Sequence, residues 1–326
     1  MQESVLNPPV EAGMTVSRPA LTWVGRVAAF ALGAVLLVAA VAKALDPAAF
    51  AEALGAQGLT FGLPPLAVVL AVLAVETVLG LLLVLDVRRV WTLGAATVLV
   101  ASFVVLNGWD WWQAAHGAAP AAGCGCFGNL VQRTPAQAFW QDLAMLVPAL
   151  VLAWVGMPRG VRAFPPRRMA AVAVGVAAVL LLAWRAPELP LDDVATRLRP
   201  GVELATVCAG ADEPICLTDV VPELSEGRSW VVLVDLTSAE QWADELNRIA
   251  ARPGSPPVVA LASASLEDKS AFTWQWGPTY PVRDAPPALF RPLYRRLPRS
   301  FLSEGGRVLR TVPGLPTSDV PGESPR

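Results

Sequence analysis

A chain of 326 residues that is 54% apolar and 16% charged, with a mean hydropathy of +0.49, falls outside the range of soluble globular proteins. Its net charge of −2 offers nucleic acid no basic surface, and its single histidine, His116, excludes a histidine-rich metal centre. Four cysteines fall in two close pairs, Cys124/Cys126 and Cys208/Cys216, a pattern that fits a disulfide-permitting compartment.

Residues 1–20 are polar and hold Pro8, Pro9 and Pro19, so a disordered N-terminus is expected. Five apolar segments follow near 22–44, 64–86, 90–109, 138–157 and 168–185, against a hydrocarbon core that needs about 20 helical residues. The fifth is the shortest. Arg26 and Lys43 bracket the first segment, and their long side chains are expected to snorkel to the interfaces. Ala42-Lys43-Ala44 also resembles a signal-peptide cleavage site, against which stand the long polar stretch before it and the spans after it. Lys43 and Asp46, three apart near a helix end, are expected to pair as an interface anchor.

Glu76 falls in the middle of the second span, where an ionised carboxylate is costly and usually faces a polar interior. Two readings stay open: a proton- or quinone-linked role, and a packing hydrogen bond to a neighbouring span. Asp110 among Trp109, Trp111 and Trp112 reads as an aromatic belt at the membrane surface. Asp142, near the start of the fourth span, is placed to approach the loop before it.

That loop holds Gly123-Cys124-Gly125-Cys126-Phe127-Gly128. Closing a disulfide across one residue needs a sharp bend, which Gly125 supplies without a Cβ clash. The small ring suits exchange better than permanent stapling, although a static link is the alternative. Two thiolates alone are too few for a closed zinc site, so no metal is expected. His116, eight positions before Cys124, would lower a thiol pKa as an imidazolium, or is simply a polar loop residue.

Arginines set the expected orientation. Arg88 and Arg89 join spans two and three, while Arg159, Arg162, Arg167 and Arg168 join spans four and five, so both connections should be cytoplasmic. Arg18 and Arg26 put the N-terminus on that side. The Cys124/Cys126 loop and everything after about residue 186 then lie outside the cytoplasm, in one oxidising space.

The expected organisation is a transmembrane domain over 21–160, a fifth span with its cytoplasmic loop over 161–186, a linker over 187–200, a soluble domain over 201–316 and a tail over 317–326. Pro187-Glu188-Leu189-Pro190 marks the linker. In the soluble part, Trp230–Leu236 reads as a buried strand, and Thr237-Ser238-Ala239-Glu240 as a capping box opening a helix through about Ala251. Val258–Ala262 and a helix from Ser265 to Trp274 form a second βα unit. Tyr280-Pro281-Val282 and a short helix from Pro287 to Tyr294 follow, then two strands flanking the turn Ser303-Glu304-Gly305-Gly306. Cys208 and Cys216 bracket seven residues and read as a structural disulfide, or as a second redox pair serving Cys124/Cys126.

With these residues in hand, the first four spans resemble the MauE/DoxX family of redox-associated membrane proteins, MauE being the methylamine-utilisation protein. The resemblance rests on Gly33–Pro47, on Glu76-Thr77-Val78-Leu79-Gly80-Leu81 and on Cys124-Gly125-Cys126-Phe127-Gly128, and covers about residues 20–160. The soluble part is similar to thioredoxin-like domains found with this membrane module, through Glu245-Leu246-Asn247 and Arg296-Leu297-Pro298-Arg299-Ser300-Phe301-Leu302, with Pro298 where thioredoxins keep a cis-proline. No cysteine follows Leu217, so the Cys-x-x-Cys of that fold is missing. Without a thiolate this domain does no dithiol chemistry at the usual place.

The resemblance implies a DoxX/MauE-like four-helix core plus a fifth span, followed by a small α/β thioredoxin-like domain, in a multi-pass protein of the inner membrane. It implies thiol–disulfide exchange at Cys124 and Cys126, supported by Lys43, Asp46, Gly125, Phe127, Gly128 and Pro298, with no cofactor. The expected partners are lipid and an extracytoplasmic client or thiol partner, matured as for methylamine dehydrogenase. The alternative is a non-catalytic assembly factor that holds its client in the groove near Pro298. A transporter fits poorly, since the five spans show no inverted repeat.

Overall fold

The computed structural model describes residues 19–60, 62–116, 133–158, 165–210, 214–225 and 227–316. The expected disorder of the N-terminus falls almost wholly on residues 1–18, which lie outside these, as does the tail over 317–326. The helical part begins with α1 (Pro19–Leu45) and a short α2 (Pro47–Ala56), then α3 (Pro65–Val84), α4 (Val90–Ala115), α5 (Pro135–Val155) and α6 (Pro166–Arg185). All but α2 are long and apolar enough to cross a membrane. Helix α4 runs to Ala115 rather than stopping near 109, carrying the tryptophan cluster inside it.

The periodicity of apolar residues gives no hint of α2. Its start is written in Asp46-Pro47. The Asp46 carboxylate accepts the Ala49 N–H at 3.1 Å, and Pro47 occupies the first turn, where a missing N–H is harmless.

Helix α1 is the centre of the bundle, packed on α3 and α5; α4 packs on α5, and α6 lies against α3 and α1. Glycines set how closely the backbones approach. A Cβ on Gly33 would sit 2.7 Å from the Gly80 carbonyl oxygen, and one on Gly25 would sit 2.6 Å from the Gly156 Cα. Inside a bilayer, where lipid tails are as apolar as leucine, such small-residue contacts supply the helix association. Large apolar side chains including Phe30, Val98, Val105, Met145, Val174 and Leu181 point outward, as a lipid-facing surface requires.

One end of the bundle gathers the start of α1 with the α3–α4 connection and the end of α5. There Arg88, buried, donates to Asp86 at 2.7 Å and to the Gly156 carbonyl at 2.8 Å, while Asp86 also receives Arg26 at 2.9 Å. The opposite end collects the C-termini of α1, α4 and α6 and the N-termini of α3 and α5. It carries the α/β domain.

That domain opens with α7 (Asp192–Ala195) and a hairpin of β1 (Cys208–Ala209) and β2 (Ile215–Cys216), then α8 (Leu217–Val220) and β3 (Arg228–Leu233). Next come α9 (Ala243–Ala250), β4 (Val258–Ala262), α10 (Leu266–Trp276), β5 (Val282–Asp284), α11 (Pro287–Phe290), β6 (Arg299–Glu304) and β7 (Arg307–Pro313). The main sheet has the order β5-β4-β3-β6-β7, with β3, β4 and β5 parallel and β6 and β7 antiparallel. Period-two alternation splits its core. Val231, Leu233, Val259, Leu261 and Phe301 face α8 and α11, whereas Trp230, Val232, Val258, Ala260 and Leu302 face α9 and α10. Gly305 and Gly306, at φ 54° and 76°, make the two-residue turn between β6 and β7, a left-handed pair that glycine adopts without strain.

Two details differ from the sequence reading. The segment after β3 is a 3-10 turn over Leu236–Gln241 before α9, and its cap is Asp235, whose carboxylate accepts the Thr237 N–H at 3.0 Å, not the Thr237/Glu240 box. Residues 187–200 are not a loose linker but include α7, which is fastened to the sheet.

Gly33→Leu is expected to lower the thermal stability of the detergent-solubilised protein by about 1–3 kcal/mol, because the Gly80 backbone cannot give way to the new side chain. Gly94→Ala, whose methyl meets nothing within 4 Å, should leave the melting temperature unchanged or slightly raised.

Candidate functional site

Antiparallel packing of α1 on α3 brings Lys43 to Glu76. Side chains lean toward the N-terminus of their own helix, so Lys43 leans down α1 and Glu76 leans back toward it along α3. Their ammonium and carboxylate are in direct contact, with side chains only 1% and 0% exposed. Lys43 Nζ also lies 5.1 Å from the Phe50 ring centre and 5.3 Å from that of Phe103. The second carboxylate oxygen of Glu76 has no hydrogen-bond partner among the described residues.

Lys43 therefore does not snorkel, and it does not pair with Asp46. The reason is burial: a cation drawn into the bundle is held by the nearest anion inside it, and Asp46 is committed elsewhere. Asp46 caps α2 and lies 3.8 Å from the Arg291 guanidinium. Removal from water pushes the Asp46 carboxyl above the usual carboxylate range, against the opposing pull of the Ala49 N–H and Arg291.

Polar groups continue toward the domain end along one face of α4, where Phe103, Asn107 and Asp110 are spaced by four and three. Asn107 donates to Asp142 at 2.7 Å, and Arg133 donates to the other Asp142 oxygen at 2.8 Å. Gln57, just past α2, donates to Asp110 at 3.1 Å. Asp110 thus turns inward while Trp109 and Trp112 stay exposed and stacked, 5.1 Å between ring centres. His116 ends α4, its Nδ1 donating to the Trp112 carbonyl at 2.7 Å. Thr134 and Gln137 close a capping box at the start of α5.

Cys124 and Cys126, with Gly125, Phe127 and Gly128, lie outside the described residues. Both flanks, His116 and Arg133, emerge at the domain end of the bundle.

Of three arginines spaced by four, the first two fasten the α/β domain at that end and the third ties α7 and its flank to the sheet. Arg291 donates to Glu52 of α2 at 2.6 Å and stacks over Tyr294 at 4.8 Å. Arg295, buried, donates to the Ala186 carbonyl at 2.5 Å and the Leu189 carbonyl at 3.2 Å, just past α6. Arg299, at 2% exposure, donates to Thr196 Oγ1 at 2.5 Å, to the Leu293 and Leu198 carbonyls and to Asp193 at 3.1 Å. Burial pulls the Arg299 guanidinium below its ordinary range, and Asp192 and Asp193 pull it back. The Leu297–Pro298 peptide bond between these arginines is cis.

Cys208 and Cys216 face each other across the β1–β2 pair and are disulfide-bonded. A cleft of about 590 Å³ opens beside this hairpin, lined by Ile215, Ser263, Ser265, Asp268, Asp284 and Pro287 among others. It lies outside the carboxyl ends of β4 and β5.

Sequence reasoning singled out Lys43, Glu76, Asp142 and Pro298 but not Arg291, Arg295, Gln57 or Asn107. The spacing of four in Arg291-Pro-Leu-Tyr-Arg295-Arg-Leu-Pro-Arg299, set among apolar residues, was the available signal for the arginines.

These features define a multi-pass α-helical membrane protein whose bundle carries an α/β domain at one end. More particularly, residues 21–155, which span α1 to α5, match the family model described as methylamine utilisation protein MauE. No curated protein and no solved structure matches the chain.

Lys43→Met should strand the Glu76 carboxylate and cost about 3–5 kcal/mol in thermal unfolding, most of it regained in Lys43→Met/Glu76→Gln. For Asp46, a folded pKa above the unfolded one means the folded state holds its proton to higher pH. Its contribution is therefore most favourable below 3.8 and declines as pH rises toward the folded value. Asp46→Asn should flatten the pH dependence of the melting temperature in that window.

Proposed function

We propose that this protein carries out thiol–disulfide exchange through Cys124 and Cys126 at the extracytoplasmic face of the inner membrane, in support of a disulfide-containing client. The observation that carries the reading is positional. The segment holding Cys124 and Cys126 leaves and re-enters the bundle at the end where Arg291 docks the α/β domain. The far end holds Arg26, Arg88 and Arg168, and the positive-inside rule assigns that end to the cytoplasm.

The exchange itself is simple. A partner thiolate attacks the Cys124–Cys126 disulfide, a mixed disulfide forms, and a second thiolate resolves it. The order β4-β3-β6-β7 with an antiparallel second half, and Pro298 leading into β6 beside β3, support a thioredoxin-like domain. In place of its usual dithiol stands Asp235–Gln241, so the domain's part is to hold a client rather than to oxidise it there. The family match over α1 to α5 supports a client of the methylamine dehydrogenase type.

The second reading, a scaffold without redox chemistry, is favoured by that same missing dithiol. Replacing Cys124 and Cys126 with serine separates the two: client maturation is expected to collapse, whereas a scaffold would retain it. A Cys126→Ser variant should also accumulate a mixed disulfide through Cys124, detected by non-reducing electrophoresis and mass spectrometry.

A further inference from the structure

We infer that the end of the bundle opposite the α/β domain binds the headgroup of an anionic phospholipid, seated between the α3–α4 connection and the start of α6. This goes beyond the reading of Cys124 and Cys126 and does not require it. Among the described residues, that end carries Arg26, Arg88, Arg89, Arg167 and Arg168 against a single acid, Asp86. Asp86 is already claimed twice, by Arg26 at 2.9 Å and by the buried Arg88 at 2.7 Å. Arg88 turns its other described donor, Nη1, to the Gly156 carbonyl at 2.8 Å and the Thr22 carbonyl at 3.4 Å. The local charge is therefore positive, with no further acid among the described residues to balance it.

Packing gathers this surplus in one place. Val87 of the connection shares a cluster with Leu82 of α3 and Val172 of α6, which sets Arg88 and Arg89 beside the first turns of α6. Arg168 bridges the same elements, its Nη1 donating to the Leu85 carbonyl at 2.9 Å. That acceptor carries no net charge, so the guanidinium keeps its own, and Arg167 and Arg168 are both exposed. Helices α4 and α6 both start here without a side-chain cap, which leaves backbone N–H groups as additional donors.

The surface then turns apolar along the helices. Val90 and Trp91 at the start of α4, and Met169 and Val174 on α6, are all exposed. Tryptophan in that position sits at headgroup depth. A phospholipid meets both halves of this surface, its phosphate among guanidiniums and its chains along Met169 and Val174, whereas a soluble anion would meet only the first. Guanidinium forks match phosphate oxygens in pairs. A zwitterionic headgroup would bring its own cation into this positive field, so a headgroup with net negative charge is the one favoured.

The test uses the full-length protein in dodecyl maltoside, titrated with phosphatidylglycerol or with phosphatidylcholine of the same chains. Native mass spectrometry counts retained lipid, and the melting temperature is followed in parallel. Phosphatidylglycerol should be retained and should raise the melting temperature, and phosphatidylcholine should do neither. Arg167→Gln/Arg168→Gln should weaken phosphatidylglycerol retention by about fivefold or more, while Arg168→Lys, which keeps the charge, should retain most of it. Arg248→Gln/Arg252→Gln, at the end of α9 in the other domain, should bind as the wild type does.

Equal retention of the two lipids overturns the inference, as does undiminished retention in Arg167→Gln/Arg168→Gln. An equal loss in Arg248→Gln/Arg252→Gln also overturns it, since attraction to net charge alone would behave that way. Glycerol phosphate supplies the headgroup without chains, and a melting shift from it as large as that from phosphatidylglycerol would assign the site to a soluble anion instead of a lipid. Because the wild-type comparison decides the first point, a poorly folding variant does not shelter the proposal. The Cys124→Ser/Cys126→Ser variant should retain phosphatidylglycerol as the wild type does, so failure of the cysteine reading leaves this one standing.

Discussion

A charge drawn out of water into a helical bundle has to meet its opposite there, and the Lys43–Glu76 contact is where this protein obeys that rule. Everything nearby is arranged around it. The glycine contacts along α1 let α3 come close enough for the two side chains to meet, and Phe50 and Phe103 cover the ammonium with their ring faces. Phe50 is available because Asp46 turns the chain into α2 instead of releasing it to solvent. Glu76 keeps one oxygen without a partner among the described residues, so the pair is compensated in charge yet incomplete in hydrogen bonds. Such an arrangement gives little stability over an apolar pair of similar volume.

From this pair polar side chains rise on α4 and α5 to the end where the α/β domain sits. Asn107, Asp142 and Arg133 form a connected set there, and Asp110 with Gln57 forms another. Above them, Arg291 spans from the domain to α2. Among the described residues, ions and hydrogen bonds join the two parts there.

Hydropathy made the five spans legible because a bilayer demands about 20 apolar residues in a row, a signal that survives without any knowledge of neighbours. The β3 and β4 strands were legible for a related reason: both are covered on two faces and read as continuous apolar runs. Helix α2 was not, since ten residues with little periodicity announce themselves only through the Asp46-Pro47 cap. The partner of Lys43 was misread because Asp46 is close in sequence while Glu76 is close only after α1 and α3 pack. The Thr237-to-Glu240 pattern suggests a capping box, whereas the side chain that caps the turn after β3 is Asp235, two residues earlier. A spacing of four marks the arginines at 291, 295 and 299, but no local pattern tells that their distant acceptors, carbonyl, hydroxyl and carboxylate oxygens, lie 101 to 245 positions away.

The short connection after α6 has its own consequence. Arg295 grips the carbonyls of Ala186 and Leu189, and Arg299 grips Thr196, so little free chain remains between the last span and the sheet. A domain tethered so tightly meets the mouth of its own bundle at an effective concentration in the millimolar range or above, however dilute the protein is in the bilayer. Encounters between the two halves are first-order events, indifferent to expression level and to lateral diffusion, and a separate soluble copy of the domain would compete with them poorly.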